Sequence, residues 1–180
     1  MKQESVSTSH NQYTTQGKTK EAIMSILEML LKPKIAYAHC DIPCGIYDPH
    51  QAQVAAHTVL RMVLLANQLD KNAADYHHKL ARYTTTKEQH CEIIKHEVRI
   101  IWGDFYKPEH LASNKDLHEM VWKVLKKASA ARQTMSEQEA KDLVGLANQF
   151  AEMFWKTKGV KTLKMKAPYP TEAEIVLPTA

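Results

Sequence analysis

Between residues 50 and 158 apolar side chains recur at steps of three and four, and that spacing commits this part of the chain to helices. Four stripes can be traced. The first runs through Ala55, Val59, Met62, Ala66 and Leu69. The second lies within about residues 73–105 and is strongest at Ile94, Val98, Ile101 and Phe105, with Leu80 and Tyr83 extending it backward. The third passes through Leu117, Val121, Val124, Ala128 and Ala131, and the fourth through Ala140, Leu143, Ala147, Phe150 and Phe154. Each stripe gives a helix one face to bury. Pro108 closes the second helix, and Ser136 with Glu139 has the spacing of a capping box at the start of the fourth. Glycine is scarce, 5 in 180 residues, which also favours helices over a sheet. Short connections between four amphipathic helices predict an all-α, up-down four-helix bundle over residues 50–158.

The flanks read differently. Residues 1–18 are rich in Ser, Thr and Gln and have little to bury. Residues 19–32 form a short amphipathic pattern through Ile23, Ile26, Leu27 and Leu30, ended by Pro33. Ala36-Tyr37-Ala38 has the small-x-small form of a cleavage site, but Glu28 breaks the apolar stretch ahead of it. A helix in a processed leader therefore fits better than a secretory signal. Residues 159–180 hold Gly159, Pro168, Pro170 and Pro178, and are expected as an extended C-terminal tail.

Charge excludes some partners. Residues 39–158 carry 16 basic and 15 acidic side chains. That balance leaves no basic block of the density that nucleic acid requires. No run of about 18 apolar residues is present to span a membrane.

The chemistry concentrates in residues 39–49, where His39, Cys40 and Cys44 lie in one short loop with Pro43 and Gly45. Pro43 fixes a torsion and Gly45 relaxes the backbone beside the second thiol. Such a loop can wrap both sulfurs around one ion. Two thiolates with nitrogen donors suit tetrahedral zinc or a square-planar ion such as Ni(II). No second Cys/His pair of zinc-finger spacing follows, and three residues rather than two separate the thiols, unlike the usual redox motif. A bound metal, a reactive dithiol and loop cysteines without a role all remain open on donor chemistry alone. Cys91, the third cysteine, falls mid-helix as a small buried residue.

The run His39-Cys40-Asp41-Ile42-Pro43-Cys44-Gly45-Ile46-Tyr47-Asp48-Pro49 resembles the nickel hook of the nickel-containing superoxide dismutases, H-C-D-x-P-C-G-x-Y-x-P. Trp102-Gly103-Asp104-Phe105-Tyr106-Lys107-Pro108-Glu109-His110 is similar to that family's W-x-D-Y-F-K-P-P-H segment. Leu117-His118 and Phe154-Trp155 extend the resemblance, which covers residues 39–158.

The resemblance implies a four-helix bundle with an N-terminal metal-binding hook, and one nickel ion per subunit. It implies an enzyme that disproportionates superoxide to dioxygen and hydrogen peroxide. Residues 1–38 would be a leader, cut before His39 by a processing protease. The nickel ligands would be the new His39 amine, the Cys40 backbone nitrogen and the Cys40 and Cys44 thiolates, with the His39 imidazole on the axis in the oxidised state. Asp41 would orient the hook and Tyr47 would order water or gate substrate. Two departures from the family pattern stand out. A glutamate and an arginine that relatives place behind the imidazole are here Ala55 and His90, and the family's Tyr-Phe pair is reversed as Phe105-Tyr106. His90, Asp104, Tyr106 and Lys107 are the candidate outer groups. The resemblance further implies a homo-oligomer, a hexamer, and the free thiols with a broken signal core point to the cytoplasm rather than to secretion or a periplasm. The alternatives are a non-enzymatic nickel or zinc carrier and a thiol sensor that use the same hook.

Overall fold

A computed structural model describes residues 45–179. The helix expected at 19–32 and hook residues 39–44 lie outside the described residues. The architecture is the anticipated one: α1 (His50–Asn67), α2 (Tyr76–Ile100), a short α3 (Pro108–Leu111), α4 (Leu117–Gln133) and α5 (Glu137–Thr157). The four long helices close a ring in which α1 and α4 each pack on both α2 and α5. The core is small and aliphatic on α1, where Ala52, Ala55, Ala56, Val59, Leu60 and Val63 are buried, and aromatic on α5, at Phe150, Phe154 and Trp155. Met62 and Ala66, expected in the α1 stripe, are only half-buried. The buried face of α1 is broader than a stripe and turned from the expected line, because α1 meets the C-terminal segment as well as two helices.

Two helix ends show how sequence sets the frame. Ser136 Oγ accepts the Glu139 N–H at 3.3 Å, but the Glu139 carboxylate pairs with Lys127 at 2.9 Å instead of returning to the cap. Only half of the expected box forms. At the C-terminal end of α4, the buried Lys87 of α2 donates to the carbonyls of Ala131 at 2.8 Å and of Arg132 and Thr134 at 2.6 Å each. These are acceptors that a helix terminus leaves without partners, and a cation is favoured there by the helix dipole.

The segment after α5 differs from the extended tail expected. Gly159, at φ 71°, ends α5 in a Schellman turn: its N–H reaches the Lys156 carbonyl at 3.0 Å and the Val160 N–H reaches the Trp155 carbonyl at 2.9 Å. The chain then forms an antiparallel hairpin, β1 (Thr162–Lys166) with β2 (Glu174–Pro178), in which Leu163 faces Leu177 and Met165 faces Ile175. Pro168 and Pro170 lie in the connection rather than in a strand, where they cost no ladder bond. The hairpin docks through buried polar side chains of the bundle. Gln53 donates to the Val176 carbonyl at 3.0 Å and accepts its N–H at 2.9 Å, and Asn148 donates to the Glu174 carbonyl at 2.7 Å. His57 Nδ1 shares a 2.8 Å hydrogen bond with Thr171 beneath the edge of Tyr169, whose ring lies 5.0 Å away. Ile175, Val176 and Ala167 are buried.

Candidate metal centre

The described chain begins where the hook joins the bundle. Gly45 sits at φ 79°, a left-handed conformation that side chains with a Cβ resist, so the glycine beside Cys44 is placed where the turn needs one. The Asp48 carboxylate accepts the His50 N–H at 2.7 Å, and Pro49 is buried at the head of α1, its carbonyl accepting the Gln53 N–H at 3.2 Å. The last hook residues are thereby fixed to the first turn of α1.

Ile46, Tyr47 and Asp48 form one wall of a cavity of about 600 Å³. His50 and Gln51 of α1 and His96, Glu97, Ile100 and Ile101 of α2 and its end line the rest. Tyr47 is half-buried and packs on Phe105 with ring centres 5.9 Å apart. Phe105 is in turn held by Phe154 at 4.8 Å and stacked on His110 at 5.5 Å. Antiparallel packing of α1 on α2 explains the cavity: it brings the start of one helix beside the end of the other.

A π-turn, Ile101–Phe105, follows α2 and closes with the Tyr106 N–H on the Ile101 carbonyl at 3.4 Å. The wider turn shifts the facing of residues after Ile101. Phe105 is therefore only half-buried, while Tyr106 is buried. Burial raises the Tyr106 phenol above its ordinary pKa, with Thr157 beside it pulling the other way. The ring that meets Tyr47 is thus a phenyl, and the Tyr106 phenol is placed toward α5 and α3.

The other candidates fall as follows. His39, Cys40, Asp41 and Cys44 lie outside the described residues. His90 is half-buried on α2 with Nδ1 on the Thr86 carbonyl at 2.8 Å, a bond within its own helix. Asp104 and Lys107 are exposed, and the Lys107 N–H donates to His110 Nδ1 at 3.1 Å. None of His90, Asp104, Tyr106 and Lys107 lines the cavity beside Tyr47. Ala55 is in the core, 2% exposed. Sequence reasoning passed over Glu97 and treated His96 as a surface histidine; no local spacing links them to Tyr47, and only the helix pairing does. Cys91 is fully buried, and burial pushes its thiol up to about 11.

Among the described residues no group of three or more His, Cys, Asp or Glu side chains is placed to hold a metal ion. The candidate metal donors His39, Cys40 and Cys44 lie outside the described residues. The hook sequence carries two thiols and an imidazole, residue types that suit nickel.

The family description "Nickel-containing superoxide dismutase" matches residues 34–158. Over 134 residues the chain is 37% identical to the nickel superoxide dismutase of Streptomyces coelicolor, covering 74% of this chain and 98% of that protein. The nickel superoxide dismutase of Streptomyces seoulensis matches to the same extent, 37% over 134 residues. Among solved structures, a native nickel superoxide dismutase superposes with a TM-score of 0.60 at 35% identity, covering 67% of this chain and 99% of that one. A nickel-containing superoxide dismutase with ligation of the oxidised state gives 0.61 at 34% identity over the same shares. A helical bundle with a hook sequence at its head is the class these likenesses define. The chain belongs to the nickel-containing superoxide dismutase family. The β-hairpin lies beyond the residues matched by the family description.

Proposed function

We propose that residues 39–49 are the catalytic hook of a superoxide dismutase, with His39, Cys40 and Cys44 holding one nickel ion per subunit once the chain is cut between Ala38 and His39. The enzyme disproportionates superoxide to dioxygen and hydrogen peroxide, and nickel is its metal. Nickel bound by thiolate and amide donors supplies a one-electron couple that can accept an electron from one superoxide and return it to another. The carrying observation is the continuity of the hook sequence with a cavity wall: Cys44 is followed by the left-handed Gly45, and Tyr47 faces the cavity on a Phe105 backing.

The residues of the chain do the rest. The cut frees the His39 α-amine, which an amide in a peptide bond cannot replace as a donor. Asp41 orients hook backbone groups. Tyr47 orders water in the cavity and so controls where protons reach the reduced oxygen; peroxide leaves with two of them. Lys107, exposed beyond Phe105, adds positive potential for an anionic substrate. Exposed Trp102, Trp122 and Ile46, the last 75% accessible, suit burial between copies of the chain, and the assembly proposed is a homohexamer located in the cytoplasm. A dedicated protease removes the leader. No helix among the described residues is long and apolar enough to cross a membrane.

The test compares a chain beginning at His39 with a free amine and the full-length chain. Each is loaded with nickel and measured for bound metal and superoxide consumption. Activity in the first alone supports the reading. Nickel bound without activity in either favours a carrier, and a reversible Cys40–Cys44 disulfide without metal favours a sensor. Sedimentation of the cut protein as a monomer would contradict the hexamer.

A further inference from the structure

We infer that β1 is a docking edge for the acidic, extended C-terminal segment of another protein, which pairs with it antiparallel as a third strand on the hairpin. The ladder decides which edge is open. The Thr179 N–H meets the Lys161 carbonyl at 2.9 Å, and the Ala167 N–H meets the Ala173 carbonyl at 3.0 Å. Bonded positions alternate along an antiparallel pair. The odd-numbered residues of both strands therefore turn their N–H and C=O groups into the hairpin, and the even-numbered ones turn them out. On β2 the bundle meets the outward groups: Gln53 holds both of those on Val176, and Asn148 holds the Glu174 carbonyl. On β1 the outward groups belong to Thr162, Lys164 and Lys166, and no partner meets them among the described residues.

The side chains name the occupant. Lys156, Lys158, Lys161, Lys164 and Lys166 fall in one stretch that holds no acidic residue. One face of β1 carries Lys164 and Lys166; the other carries Leu163 and Met165, which are 51% and 43% exposed. Lys164 reaches Glu152 and Lys166 reaches Glu172, each at 3.2 Å. These are pairs open to water, weak enough for a further carboxylate to join. A strand of alternating acidic and apolar residues matches both faces at once. β2 already shows the pattern, with Glu174 opposite Lys166 and Ile175 opposite Met165. At the start of β1 lies a cavity of about 580 Å³ whose lining includes Lys156 and Lys161. Neither lysine has an ion-pair partner among the described residues. An antiparallel strand ends at that side of β1, which brings its terminal carboxylate to the two ammonium groups. A second copy is a poor occupant, because β1 laid on β1 sets lysine against lysine, and the outer edge of β2 is taken. A lipid surface is a poor one as well, since hydrocarbon leaves open backbone groups without partners.

The probe is a short peptide that alternates Glu and Val and ends in a free carboxylate, titrated into the full-length chain by calorimetry. The expected result is binding that weakens as salt rises, with no binding of a Lys/Val peptide of the same pattern. Lys164→Pro removes an outward N–H without costing a bond between β1 and β2, and should abolish binding. Lys164→Gln combined with Lys166→Gln should weaken it about fivefold, whereas Lys71→Gln, at an exposed site between α1 and α2, should leave it unchanged. Amidating the peptide's C-terminus should also weaken it. A second set of probes keeps the protein as wild type. The antiparallel ladder turns the Glu amides of the peptide toward β1, so methylating those amides should abolish binding and methylating the Val amides should not. The proposal is overturned if wild type leaves the peptide unbound, or if the peptide methylated at Glu binds as well as the unmodified one, which would mean that charge alone attracts it. Self-association of the chain that Lys164→Pro abolishes would give the edge to a second copy and overturn it. Binding to phosphatidylserine vesicles without binding of the peptide would overturn it in favour of lipid.

Discussion

Lys87 shows how far a single side chain can be bound into the frame. Its ammonium is buried, and burial lowers its pKa below the ordinary lysine value. Three carbonyls at the end of α4 hold it. Replacing it by methionine keeps the packing volume but leaves those acceptors without a donor. Hydrogen bonds to charged groups are worth about 1.5–3 kcal/mol each when broken singly, and water can reach part of this end, so a loss of about 3 kcal/mol is expected. Thermal melting of Lys87→Met should show it as a fall of roughly 10 °C. Cys91, one helical turn on, makes the opposite prediction. Its thiol stays protonated at neutral pH and is closed to solvent. A thiol reagent applied to the native metal-free protein should spare Cys91, and labelling of Cys91 should appear only on unfolding.

The elements were legible to different depths. The stripes of α2, α4 and α5 hold because each names residues with one buried face: Ile94, Val98, Val121, Val124, Leu143 and Phe150 are all in the core. The π-turn was not visible, because the order Phe105-Tyr106 is equally apolar in either register and only backbone geometry decides which ring turns inward. The hairpin was hidden for another reason. Thr-Leu-Lys-Met-Lys at 162–166 is too short and mixed to announce a strand, and the side chains that dock its partner strand β2, Gln53 and Asn148, lie in helices earlier in the sequence. At the site, the hook and Tyr47 could be read as a motif, whereas Glu97 becomes notable only when α1 and α2 are laid side by side.

The hairpin also carries a pH dependence. Burial depresses the pKa of His57 below its ordinary 6.5, with the Glu174 backbone working in the opposite direction. The folded protein therefore keeps this ring neutral where the unfolded chain would take up a proton. Its contribution to stability is complete above pH 6.5 and is lost as the pH falls from there toward the depressed value. Melting temperatures measured from about pH 7.5 to 5 should fall less steeply in His57→Phe than in wild type. Equal slopes would mean that the ring is not sheltered in solution.

At the scale of the molecule, the bundle and the hairpin make one polar and apolar seam along α1 and α5. Ending the chain after Gly159 would uncover the side chains of Gln53, His57 and Asn148 and remove the buried Ile175 and Val176. A cost of at least about 3 kcal/mol is expected, from two lost apolar side chains and the amide hydrogen bonds. Comparing the melting of proteins ending at 159 and at 180 checks this. If the two melt alike, the hairpin contributes nothing to the bundle. Since Gln53 lies in the first turns of the helix that carries the hook, the shortened protein should also release nickel faster.

Gln53 and Val176 are 123 residues apart, and that separation orders events during translation. The first helix can pair with the second before the hairpin strands have been made. Its amide at position 53 has to wait, hydrated, until the final strand has cleared the exit tunnel. The four helices can assemble on the nascent chain, but the seam beneath the first of them closes only after the second hairpin strand has emerged. A nascent protein halted before that point would carry the hook sequence ahead of a helix not yet braced, so tight nickel retention waits for the last strand of the hairpin.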